Sequence, residues 1–164
     1  MYLKDVIYAA NDGIITTFAV VSGVAGAGLD PAIVLILGVA NLLADGFSMA
    51  TSDYLATKSE EEYLERDGNH VGKMRSKKAA AVTFFAFVIA GFLPVLPYLI
   101  LAKNFDVFWV SAASTASALF IVGACRSRWT GKNWFSSGLE MLFVGGIAAL
   151  IAYFVGASIK NLVF

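Results

Sequence analysis

Long apolar runs separated by short polar joints dominate the chain. Between Val6 and Gly28 the only ionisable side chain is Asp12, and Pro31–Ala56 carries only Asp45 and Asp53. Three uncharged runs follow, at Ala79–Ala102, Val107–Cys125 and Met141–Ile159, the last with Glu140 at its start. At about 1.5 Å per residue, runs of this length cross roughly 30 Å of hydrocarbon as α-helices. A closed barrel would instead show segments of about ten residues with alternating polarity, and these runs do not alternate. The pattern therefore predicts an all-α membrane protein, a five-transmembrane-helix bundle in a single domain over residues 1–164. The helices are expected near residues 5–28, 31–60, 77–101, 106–126 and 137–160.

The joints carry their own signals. Asp30-Pro31 is a helix start, with Asp at the N-cap and Pro at the first helical position, where its missing N–H costs nothing. The first two helices are thus joined by a short turn and lie antiparallel and adjacent. The one substantial polar segment is Thr57–Lys78, which runs from Glu60, Glu61, Glu62 and Glu65 to Lys73, Arg75, Lys77 and Lys78, and the second helix is expected to continue into water there. The glutamate run reads as a solvated helix end, with a cation-collecting vestibule as the sharper alternative. His70, beside Gly68-Asn69, reads as a turn residue. Pro94 and Pro97 should end or kink the third helix near its outer end.

Composition narrows the function classes. The chain is 59% apolar and 15% charged, with a mean hydropathy of +0.74, against roughly 45–50% and about 25% for soluble domains. Twelve Lys+Arg balance twelve Asp+Glu, so the basic surplus that nucleic-acid binding leaves is absent and no nucleic-acid partner is expected. One cysteine, Cys125, and one histidine, His70, cannot build a disulfide framework or a Cys/His metal site within one chain. Any metal would be held mainly by oxygen. Ten of the twelve Lys and Arg flank one end of the predicted spans and only Lys103 and Lys160 the other, which sets the N-terminus in the cytoplasm and the C-terminus outside or in a lumen. The first apolar run is longer than a signal-peptide core and is interrupted by Asp12, so it reads as a mature helix.

The chemistry lies in the polar residues inside those spans. In the second helix Asn41, Asp45, Met49 and Asp53 recur every four residues and form one stripe. In the first, Asp5 and Asp12 are two turns apart on one face, with Thr16 a turn further. Counted from the cytoplasmic side, Asp12 lies about 10 Å beyond Asp5 and Asp45 about 12 Å beyond Asp53. Asp12, Asp45 and Met49 can therefore share a level, with Asp5 and Asp53 at its cytoplasmic mouth. A bare carboxylate at the bilayer centre costs at least about 2.5–3.5 kcal/mol, so these groups must be protonated, solvated or neutralised by a cation. Competition of protons and cation for one site is the physical basis of proton-coupled exchange. The bland reading is neutral carboxylic acids acting as interhelical glue. Two aligned aspartates with an asparagine and a thioether favour a path for a divalent ion softer than Mg²⁺, such as Fe²⁺ or Mn²⁺. Small residues at Ser22, Gly23, Gly26 and Ala27 mark a close helix contact, either within one chain or between two. Among the polar residues of the fourth helix, Ser111, Ser114, Thr115 and Ser117 can bond their own backbone. Cys125 reads as a buried thiol, and Glu140 as an acidic start to the fifth helix. With no histidine in the spans, a serine protease mechanism is excluded; Asp12 with Asp45 leaves an aspartyl dyad as the formal alternative, and the chain is not read as an enzyme.

The segments Asp12-Gly13-Ile14-Ile15-Thr16-Thr17-Phe18-Ala19-Val20-Val21-Ser22-Gly23, Gly38-Val39-Ala40-Asn41-Leu42-Leu43-Ala44-Asp45-Gly46-Phe47-Ser48-Met49 and Tyr54-Leu55-Ala56-Thr57-Lys58-Ser59-Glu60 closely resemble the vacuolar iron transporter family. Gly138-Leu139-Glu140-Met141 through Gly145-Gly146 and Tyr153-Phe154-Val155-Gly156 are similar to its last helix. The resemblance implies a five-helix homodimer that exchanges Fe²⁺, and often Mn²⁺, for protons, and moves metal out of the cytoplasm between two copies of the first helix. Asp12 matches its membrane aspartate, Asp5 an acidic position nearer the cytoplasm and Met49 its ligand methionine. Where eukaryotic members have a glutamate in the second helix this chain has Asn41, and Asp45 stands one turn on, where those members have a small residue. Their long glutamate-rich metal-binding domain is reduced here to Thr57–Lys78. The expectation is a multi-pass exporter of transported Fe²⁺ or Mn²⁺, with no tightly bound cofactor. Asp12, Asp45, Met49, Asn41, Asp5 and Asp53 are its metal ligands, and its partners are the bilayer, protons and a second copy of itself. The host would be a prokaryotic cell membrane, or a vacuolar-type membrane in a eukaryote. The alternative is a non-transporting membrane scaffold or assembly subunit that retains the fold.

Overall fold

A computed structural model describes residues 3–66, 75–101 and 107–163. The described residues form six helices: α1 (Leu3–Ala27), α2 (Pro31–Arg66), α3 (Arg75–Gly91), α4 (Leu96–Leu101), α5 (Val107–Thr130) and α6 (Trp134–Val163). Four of them, α1, α2, α5 and α6, are long and apolar enough to cross a membrane. The expected helix over 77–101 is not continuous. It is divided into α3 and α4 by a turn over 92–95 containing Pro94, which has no N–H to offer the carbonyl one turn back. The carbonyl of Pro94 is taken instead by the Ser111 hydroxyl of α5 at 2.6 Å. Ser114 and Ser117 do bond their own helix, as expected.

Local rules fix the other boundaries. After Ala27 the chain turns through Gly28 at φ 63°, with Leu29 N–H bonded to the Val24 carbonyl and Gly28 N–H to that of Ala25. This six-to-one and five-to-two pair is a glycine-terminated helix end. Two residues later the Asp30 carboxylate accepts the Ala32 N–H at 2.7 Å, the N-cap that the sequence predicts. At the other hairpin, Gly131 at φ 67° ends α5 and Asn133 caps α6 through the Phe135 N–H at 2.9 Å. Because α6 begins at Trp134, Glu140 lies nearly two turns inside it. Glu140 therefore does not serve the helix start and pairs with Arg126 at 2.9 Å. Cys125 is exposed rather than buried.

The glutamate run in the last turns of α2 is engaged in structure. Glu61 is 8% exposed and accepts the Ser76 N–H, capping the start of α3, while Glu60 pairs with Arg75 and Glu62 with Lys58. His70 and Lys73 lie outside the described residues, as does Lys103.

Helix α1 is the hub, packing against α2, α3, α5 and α6, while α2 rests largely on α3. Two glycine contacts set these spacings. A Cβ on Gly13 would lie 2.5 Å from the Phe87 carbonyl oxygen, and one on Gly91 2.7 Å from that of Gly13, so the backbones of α1 and α3 touch. A Cβ on Gly26 or Gly156 would likewise meet the backbone of Tyr153 or Gly23, and Gly23 faces Ala152. The small-residue face of α1 is thus occupied by α6 of the same chain. The alternative of a subunit contact at that face is set aside, because no space is left for a second helix there.

Candidate metal path

The second-helix stripe behaves as its spacing requires: Asn41, Asp45, Met49 and Asp53 are all half-buried, beside the fully buried row Val34, Gly38, Leu42 and Gly46 that packs inward. On α1, Asp5 and Asp12 are half-buried as well. The structure divides the six candidate residues into levels. Asp5, Met49 and Asp53 line one cavity of about 530 Å³, together with Lys4, Tyr8, Ser48, Ser52, Ala56 and Thr83. A neighbouring cavity of about 420 Å³ shares Lys4, Asp5, Asp53 and Ala56 and adds Thr57, Glu60, Arg75 and Ala79. Together they form a polar mouth at the end of the helices where Lys4 and Arg75 stand.

Asp12 and Asp45 do not line that mouth. They lie further along α1 and α2, two helices that pack against each other. Asn41 lies one turn beyond Asp45, and its Nδ2 is buried with no hydrogen-bond partner among the described residues. Thr16, placed on the α1 stripe by spacing, bonds the Asp12 carbonyl at 2.9 Å and so keeps its proton within its own helix. Among the described residues, no three His, Cys, Asp or Glu of one chain gather at metal-binding range. A divalent ion usually takes about six oxygen-type ligands, so the described residues of one chain offer only part of a coordination shell at either level.

Sequence reasoning missed two polar groups, one on this face and one beside it. Thr83, on α3, donates to Asp53 Oδ2 at 2.6 Å. Asn11, beside Asp12, has a buried Oδ1 without a partner among the described residues. Neither stands out in the sequence, because a threonine in an apolar helix normally bonds its own backbone and Asn11 lies off the Asp5/Asp12 stripe.

The chain matches the VIT family over residues 3–74 and 67–157. It belongs to that family. Its relatives include "Vacuolar iron transporter 1" of Arabidopsis thaliana, 25% identical over 97% of this chain and 86% of that protein. The "Vacuolar iron transporter" of Plasmodium falciparum is 27% identical over 97% of this chain and 82% of that protein. That of Toxoplasma gondii is 24% identical over 99% and 76%. The alignment to the Plasmodium protein spans 225 positions against the 164 residues here, so this VIT-family relative carries sequence that this chain lacks. The two family matches overlap at 67–74, in the polar joint after α2. Family membership and the four long apolar helices make the chain an integral membrane protein.

Proposed function

We propose that this chain is a proton-coupled exporter of divalent metal that moves Fe²⁺ or Mn²⁺ out of the cytoplasm along a path between two protomers. The observation that carries the reading is the pair Asp12 and Asp45, half-buried on two apolar helices that pack against each other. The sequence offers no lysine, arginine or histidine inside α1 or α2 at that depth, Lys4 lying at the mouth. Two adjacent carboxylates in hydrocarbon need either protons or a divalent cation, and the two ways of neutralising them exclude each other. Protonation on the far side displaces the metal, and metal loading from the cytoplasm displaces the protons.

The half-exposed placement of these aspartates supports the second copy. A carboxylate cannot face lipid at that depth without a cost of several kcal/mol, so another surface must cover it. A twofold partner doubles every ligand and supplies that cover. The contact is proposed at the face bearing Asp12 and Asp45, since α6 fills the Gly23/Gly26 face. The broken pair α3–α4 is proposed as one further crossing, giving five in all, with the N-terminus cytoplasmic. The relatives' printed names support iron as cargo; Met49 beside carboxylates supports a softer ion over Mg²⁺ or Ca²⁺.

The test is uptake of Fe²⁺ under anaerobic conditions, or of Mn²⁺, into sealed liposomes holding the purified protein. Wild type is expected to transport, Asp12→Ala to abolish flux and Asp45→Asn to impair it, since an amide keeps the shape but cannot exchange a proton. Wild-type vesicles no different from empty ones would leave the scaffold reading.

A further inference from the structure

Beyond its first turn, where Arg75 and Ser76 meet Glu60 and Glu61, α3 makes one further polar side-chain contact with another helix among the described residues, at the polar mouth. Thr83 is 2% exposed, and its hydroxyl donates to Asp53 Oδ2 at 2.6 Å. A helical threonine usually turns its hydroxyl to the carbonyl one turn back, as Thr16 and Thr51 do here. Thr83 commits its single proton to a carboxylate on another helix. Such a charge-assisted bond is short and about twice as strong as a neutral one. Among the described residues, the other Asp53 oxygen, Oδ1, receives only Thr57 at 3.4 Å. Oδ2 is therefore tied to α3, and Oδ1 keeps the freer electron pairs beside the cavity shared with Asp5 and Met49.

We infer that Thr83 is a positioning residue for cation loading: from α3, it fixes the orientation of the Asp53 carboxylate at the cytoplasmic mouth. The inference rests on the metal-transport reading and adds to it a residue from outside the two ligand-bearing helices. A carboxylate already held by a buried donor does not have to be ordered when the ion arrives, so the hydroxyl acts on apparent affinity more than on the turnover of a loaded site. Lys4 and Arg75 line the adjoining cavity, and an unanchored Asp53 would be free to turn toward either cation and away from the ion.

Initial rates of Mn²⁺ uptake into sealed liposomes are compared for wild type, Thr83→Val, Thr83→Ser, Asp53→Ala and the double variant Thr83→Val/Asp53→Ala. Outer-shell partners of metal ligands typically change affinity by about 10–100-fold. Thr83→Val is expected to raise the KM for Mn²⁺ about tenfold with maximal rate within about twofold, and Thr83→Ser to restore the wild-type KM. Asp53→Ala should raise KM, and adding Thr83→Val should then change nothing, because the two residues act through one bond. Should Thr83→Val not be recovered from membranes, Thr83→Ala removes the same hydroxyl and carries the same expectation. The inference is overturned by a wild-type KM in Thr83→Val, by a serine variant that behaves like valine, or by equal KM increments with and without Asp53. A lower maximal rate at unchanged KM would reduce Thr83 to a packing role and also overturn it. Wild-type vesicles that take up no Mn²⁺ would remove the transport reading itself, a failure distinct from these.

Discussion

Replacing Gly13 by alanine tests the link between the α1–α3 contact and the aspartate beside it. The added Cβ would lie 2.5 Å from the Phe87 carbonyl oxygen and 3.2 Å from the same residue's C and Cα. That is about an ångström short of an ordinary carbon contact. The obstacle is backbone, which cannot rotate away, and the reciprocal approach of Gly91 to the Gly13 carbonyl leaves no slack. The two helices must separate, loosening the cluster of Ala9, Leu42, Phe87 and Val95. A radial gap of 0.5–1 Å forfeits roughly a quarter to a half of each dispersion contact, and overpacking of this kind costs about 1–3 kcal/mol. At roughly 2–4 °C per kcal/mol for a chain of this size, the apparent melting temperature in detergent should fall by about 2–12 °C. Metal flux should fall with it, since Asp12 adjoins Gly13 and Thr83 lies one turn from Phe87. Gly146→Ala is the internal control: nothing lies within 4 Å of its Cβ, and the swap raises helix propensity by about 1 kcal/mol. A Gly13→Ala protein that melts and transports like wild type, or a Gly146→Ala protein that loses as much, would refute the reasoning.

Two further outcomes follow from the same geometry. If protons and metal compete for Asp12 and Asp45, acidifying the destination compartment should accelerate metal flux, and metal entry should release protons measurable with a pH dye; flux indifferent to an imposed pH gradient would indicate a channel instead. In a Cys125→Ser background, a cysteine replacing Gly23 should fail to cross-link two chains under mild oxidation, because that position faces Ala152 of its own chain; an efficient covalent dimer on a non-reducing gel would contradict the α1–α6 packing.

What the sequence disclosed depended on how far each signal reached along the chain. The four-residue recurrence of Asn41, Asp45, Met49 and Asp53 is local, and the structure keeps all four half-buried on one face. The Asp30 cap and the Gly28 turn are local too, and both form. Ser22/Gly26 and Gly23/Ala27 announced a close contact, but spacing carries no record of which helix answers it. Glu61 has the same composition around it as Glu62, yet one is buried over the first turn of α3 and the other is exposed; only the path of the chain beyond α2 separates them. Thr83 was silent for the same reason. Its importance comes from a carboxylate thirty residues away.

The bond from Ser111 to the Pro94 carbonyl bears on how the protein enters its membrane. While the chain emerges from the ribosome, the turn over 92–95 is made before the helix that carries Ser111. In hydrocarbon a freed carbonyl with no donor is costly, and no water is at hand to supply one. As the proposed further crossing, the α3–α4 segment gains this donor when α5 follows it, and the two should then leave the insertion machinery as a pair rather than one after the other. Chains truncated after Leu101 would be held back or extracted, whereas chains extended through α5 would be released into lipid.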